Sequence, residues 1–145
     1  MRRCDVLVLL ALAATGCDAP PLAADARVAA IEAGMSRLRR DTATVFGLSA
    51  EGATLEAAYE GMHLRRLRAE YLGETGRAVD VFYFDSAAFF VVRKEYRYDA
   101  PLSGRVVDST VLTFDLTRTG VPGAQADSLK AAARLLLQRI QHPDG

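Results

Sequence analysis

The chain has no tryptophan, only two cysteines and only two histidines among its 145 residues. So few thiols and imidazoles argue against a disulfide framework, a zinc site or a nucleophile activated by histidine. The charge has no preferred sign either, because 18 basic side chains balance 18 acidic ones. A neutral chain lacks the long-range positive field that gathers nucleic acid, so we expect no nucleic-acid binding.

No apolar run is long enough for a membrane-spanning helix, which needs about 20 residues. The longest run, Val6 to Ala14, has nine residues and follows the basic start Met1-Arg2-Arg3, an order typical of export signals. It ends in Ala14-Thr15-Gly16-Cys17. This tetrad resembles the lipobox of bacterial lipoproteins, and the resemblance implies cleavage before Cys17 and lipidation of its thiol. An ordinary secretory signal cut elsewhere is the alternative.

The sequence therefore divides into a signal peptide (1–16), a lipidated cysteine with a short tether (17–22) and one domain (23–142). With Cys4 in the leader and Cys17 lipidated, no thiol remains for a cofactor, a metal or a nucleophile. We expect no cofactor and no metal. The protein is predicted to be exported and anchored to the bacterial cell membrane or outer membrane, facing the periplasm or the cell exterior.

Apolar residues recur at helical spacings near the start of this domain: Val28, Ile31, Met35 and Leu38. The pattern predicts an amphipathic helix from about residue 22, whose last turn carries Arg37, Arg39 and Arg40. We interpret this arginine triplet as a solvated helix end. Contact with anionic lipid headgroups beside the anchor is the alternative.

After Asp41 the apolar pattern changes to period two with frequent turn residues, which is typical of strands. Six strands are predicted, over residues 44–48, 54–59, 64–72, 77–84, 88–98 and 106–116, and a second helix over 124–141. Successive strands joined by short turns pair antiparallel. The prediction is an α+β domain with an N-terminal helix, an antiparallel meander of five to six strands and a C-terminal helix packed on the sheet.

Two turns fix the expected register of this meander. If Glu74-Thr75 is a two-residue loop, Leu67 faces Phe82 on the next strand. If Ser86-Ala87 forms the following turn, Asp80 faces Arg93.

Two segments, Gly73-Glu74-Thr75-Gly76 and Phe82-Tyr83-Phe84-Asp85, are similar to parts of bacterial lipoproteins and periplasmic proteins built on antiparallel meanders. The resemblance spans roughly residues 50 to 100. It implies an envelope protein and no particular activity.

No catalytic constellation is evident. His63 and His142 stand outside any motif, and Ser49 lies in a glycine-flanked stretch that is one residue too long for a nucleophile elbow. Four strand carboxylates are candidates for acid chemistry: Glu56, Glu70, Asp80 and Glu95. They are interspersed with six basic residues: Arg65, Arg66, Arg68, Arg93, Lys94 and Arg97. We interpret them as cross-strand ion pairs and predict that the protein is not an enzyme.

The aromatic residues suggest where a ligand or partner would bind. Because strand side chains alternate, Phe82 and Phe84 point to one face and Tyr83 to the other. The candidate surface comprises Tyr83, Phe90, Tyr96 and Tyr98, unless the second helix covers it. The predicted function is a lipid-anchored binding or scaffolding module without catalytic activity, holding a protein partner by a sheet face or edge. The alternative is a periplasmic carrier or sensor for a small apolar ligand between sheet and helices.

Overall fold

The computed structural model describes residues 23–86, 88–116 and 123–142. The predicted signal peptide, Cys17, the predicted tether and Ala87 lie outside these ranges. The elements in chain order are helix α1 (Ala23–Gly34), a single 3₁₀ turn (Met35–Arg37), strands β1 (Arg39–Val45), β2 (Ala53–Glu60), β3 (His63–Gly73), β4 (Gly76–Asp85), β5 (Ala88–Tyr98) and β6 (Val106–Asp115), and helix α2 (Gly123–Gln141). The α+β prediction is confirmed, and the bounds of β2 to β6 and α2 match the predicted ones within one residue.

The first predicted helix and the first predicted strand have the wrong bounds. The α-helix ends at Gly34, and the chain is already extended at Arg39 instead of at residue 44. Pairing with β2 along the whole of β1 accounts for the difference, since it starts at Arg39 opposite Tyr59. The Arg39 guanidinium lies 4.6 Å from the Tyr59 ring centroid and donates to Asp41 at 2.6 Å. Arg39 and Arg40 are therefore strand residues and not part of a helix end.

The six strands form one antiparallel sheet in the order β1-β2-β3-β4-β5-β6. Both predicted registers are confirmed, because Leu67 pairs with Phe82 and Asp80 pairs with Arg93. The register shifts at two irregularities, one between Ala58 and Tyr59 and one between Arg97 and Tyr98. Every strand thus pairs with its neighbours in sequence, and the fold needs no crossover connection.

The two helices cover opposite faces of this sheet. The α2 face carries the larger core, where Leu136 of α2 packs in one cluster with Leu67 and Phe82. On the α1 face, Ile31 of α1 packs with Tyr83 and belongs to a smaller cluster. The second helix was the cover considered for Tyr83 from the sequence, and this is wrong, because the first helix covers it. The apolar stripe of α2 is buried mainly against β1, β2 and β3.

Candidate functional site

The structure divides the four aromatic residues predicted to form a binding surface. Tyr83 and Phe90 are buried beneath α1, at 5% and 2% exposure. Tyr96 is half-buried, and the guanidinium of Arg77 lies over its ring, 4.6 Å from the centroid. Tyr98 is half-buried at the end of β5. Tyr83 and Phe90 therefore belong to the core and do not offer an open surface.

Three of the four strand carboxylates bind arginines, as predicted. Glu56 accepts a hydrogen bond from Arg66 at 2.7 Å, and Glu70 accepts from Arg68 at 2.6 Å. Glu70 also accepts from Arg77, at 2.8 Å. Burial alone would raise the pKa of Glu70, but the hydrogen bonds and charges of these two arginines hold it below its ordinary value. No two of these acids share a cleft as a hydrolytic pair would.

The Asp80–Arg93 pair differs from the others because its acid is buried. Asp80 is 1% exposed and accepts two hydrogen bonds from Arg93, both at 2.7 Å. These bonds outweigh burial and raise the pKa of Arg93. Next to the pair, burial first and the charge of Asp80 second raise the pKa of Tyr71 to about 12. Glu95, the fourth carboxylate, is exposed and adds its field to Arg93.

A polar network fastens α1 to the sheet. Glu32 of α1 accepts hydrogen bonds from Tyr83 Oη at 2.7 Å and from Arg66 Nε at 2.8 Å. Burial and the hydrogen bond to Glu32 raise the pKa of Tyr83 to about 12. The network is a structural tie, since Tyr83 and Arg66 of the sheet both donate to Oε1 of Glu32 on the helix. Glu32 could not be recognised from the sequence, because its partners lie 34 and 51 residues away.

This network predicts an alkaline transition. The pKa of Tyr83 is about 12 in the folded protein and about 10 in the unfolded chain. The contribution of the neutral phenol to stability is therefore complete below pH 10, and it is lost as the pH rises from 10 to 12. We expect Tyr83→Phe to cost about 1 kcal/mol at pH 7, because one hydrogen bond is removed. Between pH 10 and 12 the wild type should then lose about 1–2 kcal/mol relative to the variant. Urea denaturation across this range measures both effects, and parallel pH profiles would contradict the assignment.

Ser49 and the possible metal ligands are the remaining candidates for a reactive site. The Ser49 hydroxyl donates to the carbonyl of Gly52 within the β1–β2 turn, as expected of a polar turn residue. In the ranges that the structure describes, no three acidic, histidine or cysteine side chains come together as metal ligands. Neither helix of those ranges is long and apolar enough to span a bilayer.

The most distinctive surface of the molecule is the free edge of the sheet along β6. Residues 106 to 113 are all exposed, including the apolar side chains of Val106, Val107, Val111 and Leu112. In the described part of the chain, β6 has a neighbouring strand only on its β5 side. It contains no proline or lysine, and such residues are the ones that usually protect an edge from pairing. The opposite edge strand, β1, begins instead with Arg39-Arg40-Asp41.

The backbone of β6 offers a regular set of hydrogen-bonding groups at this edge. Leu116 N–H donates to the Phe89 carbonyl at 2.9 Å, in line with the β5–β6 register. Bonded and non-bonded pairs alternate in an antiparallel ladder, so even-numbered residues from 108 to 114 bond to β5. The N–H and C=O groups of Ser109, Val111 and Thr113 consequently point away from the sheet, whereas Val107 lies at the register shift.

Comparison with known protein families, with curated proteins and with solved structures found no match. The functional interpretation therefore depends on the geometry of this chain. The sequence predicted that a partner binds a face or an edge of the sheet, but it did not indicate which edge. Strand β6 was correctly placed, but its position at the end of the sheet depends on the strand order.

Proposed function

We propose that the protein is a lipid-anchored envelope module without catalytic activity that holds an extended segment of a partner protein along β6. The observation that carries the proposal is the bare edge of this strand. Outward N–H and C=O groups at three alternate residues, Ser109, Val111 and Thr113, match the main-chain groups of one added strand, a recurrent mode of peptide recognition. The exposed valines beside them supply apolar contacts on both faces of the sheet.

The rival function, a carrier of a small apolar ligand, requires an open space between the sheet and a helix. Leu67, Phe82 and Val91, on the α2 face, are fully buried and belong to one cluster with residues of α2. On the α1 face, Ile31 packs on the sheet, and a groove of about 450 Å³ remains beside it between α1 and strands β3 to β5. Glu32, three arginines and Lys94 line this groove, and so many charges suit an apolar ligand poorly. The packed α2 face and the charged α1 groove favour the binding module over the carrier.

A crosslinking experiment in a bacterial host tests the edge. A photo-crosslinking amino acid replaces Ser109 in the full chain, and the same group at Thr54, an exposed residue of β2 inside the sheet, serves as the control. We expect a discrete adduct from position 109 and none from position 54. Val111→Pro should reduce the adduct at least about tenfold, because it removes an outward donor while the bonds to β5 remain. Val111→Ala keeps the donor and should retain most of it.

The same strains test the anchor. Cys17→Ser should move the protein from the membrane fraction to the soluble periplasmic fraction or leave it unprocessed. Normal membrane attachment of this variant would contradict lipidation at Cys17. An adduct that survives Val111→Pro unchanged would contradict pairing along the edge, and an adduct of twice the chain's mass would identify the partner as a second copy.

A further inference from the structure

One end of the sheet combines an exposed apolar tip with a groove lined by arginines. Met62, in the turn between β2 and β3, is 94% exposed. Beside the turn lies a groove of about 390 Å³, lined by Arg27, Ala30, Ile31, Gly34, Arg37, Leu38, Glu60, Arg65 and Asp85. Three of these residues are arginines and two are acids, so the groove has one more positive than negative charge. We call this surface, Met62 with Arg27, Arg37 and Arg65, the basic end.

The ion pairs within the basic end are loose. Arg27 Nε lies 3.7 Å from an oxygen of Asp85, and Arg65 lies 3.6 Å from Asp85 and 3.5 Å from Glu60. These distances exceed those of charged hydrogen bonds, which Arg66, Arg68, Arg77 and Arg93 form with their partners on the sheet. Arg37 forms neither an ion pair nor a hydrogen bond with any described residue. The guanidiniums of the basic end therefore retain capacity to bind an external anion.

The proposed anchor lies close to this surface along the chain. Five residues lie between Cys17 and the start of α1 at Ala23, and the six steps from Cα to Cα span at most about 22 Å when fully extended. Arg27 follows one helical turn later, about 6 Å further along the axis. Wherever residues 17–22 lie, Arg27 is thus within about 30 Å of the lipidated residue. A bilayer that holds Cys17 is within reach of the basic end.

We infer that the basic end rests on the anionic lipid surface that holds the anchor, with Met62 inserted among the headgroups and Arg37 binding lipid phosphate. The inference depends on the lipid anchor of the proposed function. Basic residues near an anionic leaflet are attracted to it within a Debye length, and a lipid anchor supplies that proximity. The orientation leaves the β6 edge, on another side of the sheet, available to a partner.

A single tryptophan tests this orientation, because the chain has none of its own. Met62→Trp and Phe46→Trp place the fluorophore at two highly exposed residues, 94% and 80%, in turns at opposite ends of the sheet. The full-length gene is expressed in a bacterium. The lipidated product is then reconstituted into vesicles of phosphatidylglycerol with brominated acyl chains. We expect the bromines to quench at least half of the emission at position 62 and little of that at position 46.

Two further arms separate the basic end from the anchor. Arg37→Glu in the Met62→Trp background should reduce quenching at least twofold, as should brominated phosphatidylcholine, whose headgroup carries no net charge. The orientation would be overturned if protein that floats with the vesicles showed equal quenching at positions 62 and 46, or no quenching at either. The anchor would stand in that case, because the protein still floats. Failure to float with neutral vesicles would overturn the anchor, and the orientation with it.

Discussion

Replacing Arg93 by alanine should lower the free energy of unfolding by about 3–5 kcal/mol at pH 7, a larger loss than replacing its partner Asp80. The asymmetry arises from burial. Without Arg93, the Asp80 carboxylate is charged, 1% exposed and without its two hydrogen-bond donors. Without Asp80, the Arg93 side chain, which is 38% exposed already, can extend into water. We expect Asp80→Ala to cost only about 1–3 kcal/mol.

Urea denaturation of the two single variants and the wild type at pH 7 measures this difference. The double variant Asp80→Val with Arg93→Leu is the control, since an apolar pair of similar shape restores packing and leaves no charge behind. The burial argument would be wrong if Asp80→Ala were the more damaging single substitution.

Gly76→Ala is the second substitution with a large expected effect, about 3 kcal/mol of destabilisation or more. Gly76 begins β4, pairs with Arg97 of β5 and follows the tight turn from β3. A Cβ atom there would overlap the backbone oxygen of Tyr96, so the β4–β5 ladder itself would have to shift. A flexible side chain could move aside at little cost, but a paired backbone cannot.

A glycine with open surroundings provides the matched control for this substitution. A Cβ atom at Gly123, the first residue of α2, would meet nothing within 4 Å, and Gly123→Ala should change stability by no more than about 1 kcal/mol. Thermal unfolding of the two variants beside the wild type gives the comparison. Similar melting temperatures for the two alanine variants would show that the β4–β5 ladder accommodates a side chain at residue 76.

The sequence predicts a strand correctly where the alternation of its apolar residues matches the way it pairs in the sheet. Two-residue turns and alternating side chains place β3, β4 and β5, and they determine that Asp80 faces Arg93. Strand β1 could not be placed in this way. Its start at Arg39-Arg40-Asp41 has no apolar alternation and is extended because β2 pairs with it.

The candidate sites depended even more on tertiary structure. Tyr83 has the same local pattern whether a groove or a helix covers it, and only the path of α1 decides between them. The basic end likewise joins α1 to two turns that are distant in sequence, at Met62 and at Ser86. Arg37 lies in the 3₁₀ turn, whereas Arg39 and Arg40 lie in β1. The three arginines therefore do not form one helix end, as the sequence had suggested.

The contact of α2 with the first three strands has a consequence for a chain that emerges from its N-terminus, whether at the ribosome or in the proposed export. Strands β1 to β3 emerge early, but the helix that covers their apolar face is nearly the last segment to follow. Leu55 and Leu67, both fully buried in the finished protein, have no helix above them until then. A chain that stops short of residue 123 would present this bare face to chaperones and proteases.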